Sequence, residues 1–260
     1  MVKNKYFAGI DVGTSYIKMV IIDEKHKIIG YCIERASPNL QKSITDVFKN
    51  TIVNTNVSKS LIKHITSTGF GRGNVSFADS VKTEISSHAK GAYHYFPKKI
   101  TIIDIGGQDT KVIKIDSQGR IRRFKMNRKC AAGTGSFLEE IAFKLNIPMN
   151  KLNNIAIKST KDSPLSSFCT VFASTEILTR IKEGEKMEDM AKSAFESIVR
   201  RVIEMDTLEN TIVMTGGVVA YNNIILKILT KYVEREILTP PHPQLNGAIG
   251  AALFAKEQKD

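Results

Sequence analysis

Two aspartates of this chain stand in the same local setting. Ile10-Asp11-Val12-Gly13 runs on to Lys18 and Asp23, and Ile103-Asp104-Ile105-Gly106 runs on to Lys111 and Asp116 at the same spacings. Apolar residues oppose each other at Val12/Ile105, Met19/Val112, Val20/Ile113 and Ile22/Ile115. Each copy reads as a strand, an Asp-x-Gly turn, a second strand and a further turn (Glu24 to Lys27; Ser117 to Gly119). Alone, either is an ordinary hairpin with Asp and Gly in its turn. Two in register suit a nucleotide phosphate gripped from two sides. Mg²⁺ keeps several waters and takes one or two carboxylates beside phosphate oxygens. Asp11 and Asp104 are therefore the candidate holders of a hydrated Mg²⁺ and of an attacking water. Asp109 aligns with Tyr16 and reads as peripheral.

The three cysteines separate into two kinds. Cys32 lies in strand pattern and reads as a small buried hydrophobe. Cys130 (Cys-Ala-Ala-Gly-Thr-Gly) and Cys169 (Cys-Thr-Val-Phe-Ala) each sit just before an expected helix. A helix start concentrates unpaired N–H groups and partial positive charge, which favours an anionic sulfur or an anionic group bound to it. On the residues alone, the pair could be reactive thiols, structural accidents or ligands. Two thiolates cannot complete a four-cysteine iron–sulfur site, but a two-fold axis doubles them.

Other motifs carry less. Thr68-Gly69-Phe70-Gly71-Arg72-Gly73 is glycine-rich without the Gly-Lys-Ser/Thr of a phosphate loop. Met214-Thr215 leads into Gly216-Gly217, a strand-to-helix junction that offers backbone N–H groups to a ligand, or is an ordinary turn. Glu84 and His88 at i, i+4 could suggest a metal pair, and read better as cleft or capping residues. His242, between prolines, reads as a loop residue.

The elements that must position these groups alternate between strand and helix pattern. The sequence predicts a strand at Ile28 to Glu34, helices over Leu40 to Val53 and Phe77 to Gly91, and a connection over Tyr93 to Lys99. The second half predicts a hairpin over Ile100 to Met126. Helices follow from Ser136 to Leu145, from Cys169 to Gly184 and from Met187 to about Leu208. A strand at Thr211 to Thr215, a helix from about Asn222 and a closing helix over Asn246 to Lys256 complete it. Hydrophobic residues make up 42% and charged residues 25%, ordinary for a globular chain. No apolar run is long enough for a bilayer, and Met1 to Tyr6 has no signal-peptide layout, so a cytoplasmic protein without membrane contact is expected. The net charge is +12. Its lysines are spread along the chain without aromatic interleaving, which argues against nucleic acid and for a solvated surface or an acidic protein partner.

The paired hairpins with the later Thr-Gly-Gly resemble the actin, hexokinase and sugar-kinase superfamily. That resemblance implies two ribonuclease-H-like α/β domains, residues 1–97 and 98–243, with helix 244–260 completing the first and ATP or ADP in the cleft between them. It places Gly13, Thr14, Ser15 and Lys18 on one side of the phosphates and Gly106, Gly107 and Gln108 on the other. Gly216 and Gly217 would flank the adenosine, Gly133 would join the nucleotide set, and Gln108 would act with Asp11 and Asp104.

A narrower resemblance covers nearly the whole chain. The segments Ile10 to Ser15, Thr68 to Arg72, Glu84 to Ala92, Ile102 to Asp109, Met126 to Gly135, Cys169 to Ala173 and Met214 to Gly217 occur in order. Together they resemble the activator of 2-hydroxyacyl-CoA dehydratases, related to the ATP-binding subunits of benzoyl-CoA reductase. This implies a homodimer holding one 4Fe–4S cluster through Cys130 and Cys169 of both copies, in an anaerobic cytoplasm. It implies an ATPase that takes an electron from a ferredoxin or flavodoxin. The electron would pass to an iron–sulfur dehydratase or related reductase. Arg128 and Ser174 stand where that family often has acids, although Glu176 remains, and both make the local field more positive. A small-molecule kinase on the same fold is the rival expectation, and a nucleotide-gated scaffold without turnover a third.

Overall fold

The computed structural model describes residues 5–258. Residues 1–4, at the start of the stretch read as lacking a signal peptide, and residues 259–260 of the expected closing segment lie outside it. Two compact units emerge. One holds the chain up to Lys98, Ile115–Ile121 and everything from Leu245 on; the other holds Lys99–Lys114 and Arg122–Gln244.

The first unit opens with β1 (Tyr6–Val12), β2 (Tyr16–Asp23) and β3 (Ile28–Arg35), paired antiparallel in sequence. Helix α1 (Leu40–Thr55) leads to β4 (Ile62–Thr68), which runs parallel to β1, and β5 (Ser80–Val81) runs parallel to β4. Helix α2 (Glu84–Tyr95) follows. The sheet order is β3-β2-β1-β4-β5.

In the second unit β6 (Ile100–Ile105), β7 (Thr110–Ile115) and β8 (Ile121–Asn127) precede four helices: α3 (Gly135–Lys144), α4 (Met149–Ala156), α5 (Thr170–Lys182) and α6 (Met187–Met205). Then come β9 (Thr211–Thr215), α7 (Gly217–Tyr221), α8 (Ile224–Val233) and β10 (Ile237–Leu238). The order β8-β7-β6-β9-β10 is the first sheet's plan again: third, second, first, fourth, fifth strand. Helix α9 (Asn246–Glu257) returns to the first unit and packs on β1, β4 and α2.

Side-chain alternation decides where the chemistry goes. Ala8, Ile10 and Val12 of β1 bury against α1, with Ile44 and Val47. Phe7 turns to the other face and packs on α9, and Gly9 shares that face because strand residues alternate. A Cβ at Gly9 would collide with the backbone of Ala248 and Ala252, so only glycine lets the helix lie that close. Asp11 is on the same face. Because both faces are covered, β1 is buried at every position after Tyr6. Each fully buried Ile is worth about 1.5–3 kcal/mol relative to exposure.

Four expectations need correction. Residues from Phe77 do not start a helix: the Asp79 carboxylate accepts from the Ile65 N–H at 2.7 Å and its own N–H donates to Ile65 O at 2.8 Å, which ties the segment to β4. The helix begins at Glu84, where the Thr83 hydroxyl accepts from the Ser86 N–H, and it runs through Tyr93, read above as part of a connection. Helix α6 ends at Met205 rather than near Leu208, since Asp206 is extended (φ −161°, ψ 159°). The helix expected from about Asn222 is α8, but a short helix α7, which was not expected, precedes it; Asn222 (φ −136°) separates the two, its Nδ2 donating to Val218 O at 2.8 Å. Helix α4 was not expected: Pro148, read as a stop, is its N-cap residue.

Candidate functional site

Each unit sets the same three residue types side by side across three strands. Asp11 on β1 pairs in register with Lys18 on β2 and with Thr68 on β4. Asp104 on β6 pairs with Thr215 on β9, and Lys111 of β7 donates to it. Lys18-Asp11-Thr68 and Lys111-Asp104-Thr215 are thus one constellation built twice. Both threonines precede a glycine with positive φ, Gly69 at 89° and Gly216 at 101°. The first repeat was legible in the hairpins; the threonine–glycine repeat was not, because different lengths of chain separate it from each hairpin.

The two copies are wired differently. In the second unit the Thr215 hydroxyl donates to Asp104 Oδ1 at 2.9 Å, and Lys111 Nζ reaches Asp104 Oδ2 at 3.2 Å and Asp109 Oδ1 at 2.8 Å. Lys111 is 1% exposed, and two carboxylates hold its charge. Asp109, read as peripheral, is therefore part of this cluster. In the first unit Lys18 Nζ lies 3.3 Å from Asp11 Oδ2. Asp11 Oδ1 and the Thr68 hydroxyl are buried and without hydrogen-bond partners. An orphaned carboxylate oxygen in a buried polar pocket fits a cation or a metal-bound water.

The surroundings of Asp11 are backbone-rich. Gly71 N–H donates to Val12 O at 2.9 Å, so the Thr68–Gly73 loop closes over the end of β1. A Cβ at Gly247, in the first turn of α9, would stand 3.0 Å from both Asp11 Oδ2 and His88 Nε2. His88, weighed as half of a metal pair with Glu84, instead belongs beside Asp11, and Asn246 Nδ2 donates to its carbonyl at 2.9 Å. In the hairpin turn Gly13 N–H donates to Tyr16 O at 3.1 Å. Thr14 is exposed, and Gly13 and Ser15 are half-buried.

The second turn is closed by Gly106 N–H donating to Asp109 O at 2.9 Å, and Gln108 is exposed at its tip. Gly106 O accepts from Gly135 N–H at 2.9 Å, while Gly107 O accepts from the N–H and the hydroxyl of Ser136, both at 2.8 Å. The start of α3 is thereby pinned to the turn. Gly216 N–H donates to Pro243 O at 2.9 Å, and Gly217 opens α7.

Cys169 is the N-cap residue of α5. Cys130 is not at a helix start: the turn Ala131–Thr134 separates it from α3, a correction to the sequence reading. Cys130 is exposed and Cys169 half-buried. Asn127 Nδ2 donates to Cys130 O at 3.1 Å and Ala132 O at 2.8 Å, and Thr110 donates to Gly133 O. The approach to Cys169 is held by Glu176, which accepts from the N–H and hydroxyl of Ser166 at 2.9 and 2.6 Å. Burial opposes ionisation of Glu176, but Ser166 and the Arg180 guanidinium hold its carboxyl below the usual range. Neighbouring arginines of α6 serve both loops: Arg200 lies 5.2 Å from the Phe168 ring and bonds Leu165 O, while Arg201 packs under Gly133. Ser174 donates to Glu140 Oε1 at 3.2 Å, joining α5 to α3. Cys32, expected buried, is half-buried, and burial with the Glu34 carboxylate beside it pushes its thiol up to about 11.

The model of the BadF/BadG/BcrA/BcrD ATPase family matches residues 8–255. The chain belongs to that family. The solved activator of the 2-hydroxyisocaproyl-CoA dehydratase from Clostridium difficile, with bound ADPNP, is 36% identical over 97% of this chain and 95% of its own, at a TM-score of 0.91. Component A of the (R)-2-hydroxyglutaryl-CoA dehydratase from Acidaminococcus fermentans is 35% identical over 98% of each chain, at 0.93. A ROK family glucokinase from Streptomyces griseus, 14% identical over 97% of this chain and 99% of its own, shares the fold at 0.62. The fold is thus the actin/hexokinase type.

Two parts of this BadF/BadG/BcrA/BcrD ATPase escaped the sequence reading: the place of Thr68 with Gly69 beside Asp11, which was noted only as part of a glycine-rich loop, and the α6 arginines. The first had a signal in the strand–Thr–Gly pattern shared with Thr215-Gly216. The arginines had none, since neither position differs in pattern from an ordinary helix face. Among the described residues no helix is long and apolar enough to cross a membrane.

Proposed function

We propose that this ATPase-family chain binds Mg-ATP through its two hairpins and couples hydrolysis to delivery of one low-potential electron to a 2-hydroxyacyl-CoA dehydratase or a related double-cluster reductase. The observation that carries this reading is the Gly107–Ser136 junction, which joins a phosphate turn to the helix preceded by Cys130. The relatives' printed names, dehydratase activator and dehydratase component, support the same reading.

Each residue has a task under this proposal. Lys18, with Gly13, Thr14 and Ser15, and Gly106, Gly107 and Gln108 are the residues for phosphate oxygens, and Gly133, Gly216 and Gly217 complete the nucleotide set. Asp11, with its open oxygen, holds Mg²⁺ through water. Asp104 is already engaged by Thr215 and Lys111, so its share is to fix the turn and, through its remaining lone pairs, to orient water. Cys130 and Cys169 are the two thiols that the resemblance assigns to a cluster, with Cys32 apart on β3, and no group of three or more His, Cys, Asp or Glu that could hold a metal exists among the described residues. Cys130 and Cys169 therefore fit a 4Fe–4S cluster only if a second copy supplies the other two. Bound there, that cluster would store the electron. The homodimer, a ferredoxin or flavodoxin donor and an anaerobic cytoplasmic setting belong to the same proposal.

Anaerobic purification tests it. The account expects a brown protein with about two irons per chain, four shared by two chains, and ATPase activity that rises with the dehydratase present. A colourless, iron-free protein that phosphorylates a small hydroxyl compound would contradict it.

A further inference from the structure

From Arg122 to Lys129 the chain reads Arg-Arg-Phe-Lys-Met-Asn-Arg-Lys, five cations in eight residues with no acid. Most of this run is β8, the outermost strand of its sheet, and all five cations are exposed. Arg123 is paired, its Nε 3.2 Å from Asp206 Oδ2. Among the described residues Arg122, Lys125, Arg128 and Lys129 have no ion pair. The run ends against Cys130, itself exposed. Cations on an edge strand also deter strand-to-strand aggregation. That explains one or two of them, but not a run that continues past the strand to the cysteine.

We infer that this basic edge is the docking surface for an acidic one-electron carrier protein, which recharges the group held by Cys130 and Cys169. The inference rests on the proposed function and adds where the reductant lands. The carrier is oxidised by one electron and the cysteine-held cluster is reduced by one, with no bond made or broken and no proton moved. A recharging partner must arrive and leave at every turnover. Charge complementarity speeds encounter more than it deepens affinity, and small electron-transfer interfaces are short-lived. The Cys169 side has a different character: Val171 and Phe172, at the first turn of α5, are 70% and 66% exposed, a surface suited to a partner that stays.

The test titrates the full-length, iron-loaded protein with a labelled acidic ferredoxin at low and at raised salt. Binding should weaken about tenfold or more as salt rises. Arg122→Glu/Lys125→Glu should weaken it by a further tenfold or so at low salt, and Arg122→Gln/Lys125→Gln by less. Reversal of two exposed lysines elsewhere, Lys42→Glu/Lys49→Glu, should change it less than about twofold. Chemical reduction by dithionite should be the same in all variants, which separates docking from damage to the cluster. Carrier binding indifferent to Arg122 and Lys125 would overturn the inference, as would a single-stranded oligonucleotide binding there while the carrier does not. An iron-free wild-type protein would instead overturn the proposed function, whatever the carrier does.

Discussion

Ser136 gives both of its hydrogen bonds, from N–H and from hydroxyl, to the carbonyl oxygen of Gly107 at 2.8 Å. The turn proposed above to meet phosphate and the start of the helix after Cys130 are therefore bonded directly to each other. Removing the hydroxyl in Ser136→Ala takes away one neutral hydrogen bond, about 1 kcal/mol, and leaves the N–H link. At about 2.3 kcal/mol per 100 mV, that bond can carry only about 40 mV of any nucleotide-driven change in cluster potential. A redox titration with and without ATP should show the change reduced by up to that amount, with ATP affinity little altered.

The two aspartates should fail in different ways. Asp104→Asn weakens the pairing of a buried Lys111 and should cost up to about 3–5 kcal/mol, read as a lower melting temperature. Asp11→Asn removes a charge whose Oδ1 has no partner and whose Oδ2 meets only the less buried Lys18, so it should lower the melting temperature less than Asp104→Asn does while abolishing Mg-dependent ATP hydrolysis. Equal losses of stability in both would remove the distinction drawn between them.

That distinction also shows what was legible in advance. The hairpins announced themselves because Ile, Asp, Gly, Lys and Asp recur at fixed spacing, and a strand's period of two carries the apolar positions with them. Which copy is closed and which open could not be read, because Thr68 and Thr215 reach their aspartates through strand pairing and not through sequence separation. β5 and α7 were lost for a related reason: Asp79 and Asn222 redirect the chain through side-chain bonds to backbone far along it or one turn back. Cys130 was read as lying just before its helix although the expected start was Ser136; α3 begins at Gly135, so the intervening turn was already implied.

Acid should unsettle the Cys169 loop. The Glu176 carboxyl is depressed in the folded chain, so its stabilising share is complete above the unfolded value and is lost as pH falls through the lower folded one. With the ordinary glutamate value at 4.5, the loss belongs below that pH. Stability against pH should therefore fall on the acid side, and Glu176→Gln should flatten that limb while costing about 1.5–3 kcal/mol near neutrality. Unchanged acid limbs in wild type and variant would detach Glu176 from the loop's stability.

Close packing around Asp11 gives a further expectation. In Gly247→Ala the new methyl would meet Asp11 Oδ2 and His88 Nε2 at 3.0 Å, tighter than ordinary contact. ATP hydrolysis should drop about tenfold or more, since small displacements of the carboxylate proposed to hold Mg²⁺ would be costly. Steady-state kinetics on folded variant protein would show it, and full activity would mean that Asp11 is not held where hydrolysis needs it.

Iron counted per chain in anaerobically prepared wild type, Cys130→Ser and Cys169→Ser is the measurement that bears most directly on the whole account. About two irons per chain should be found in the wild type, and next to none in either variant, with the folded structure retained in both. Iron undiminished by both serine replacements, or absent from the wild type, would contradict it.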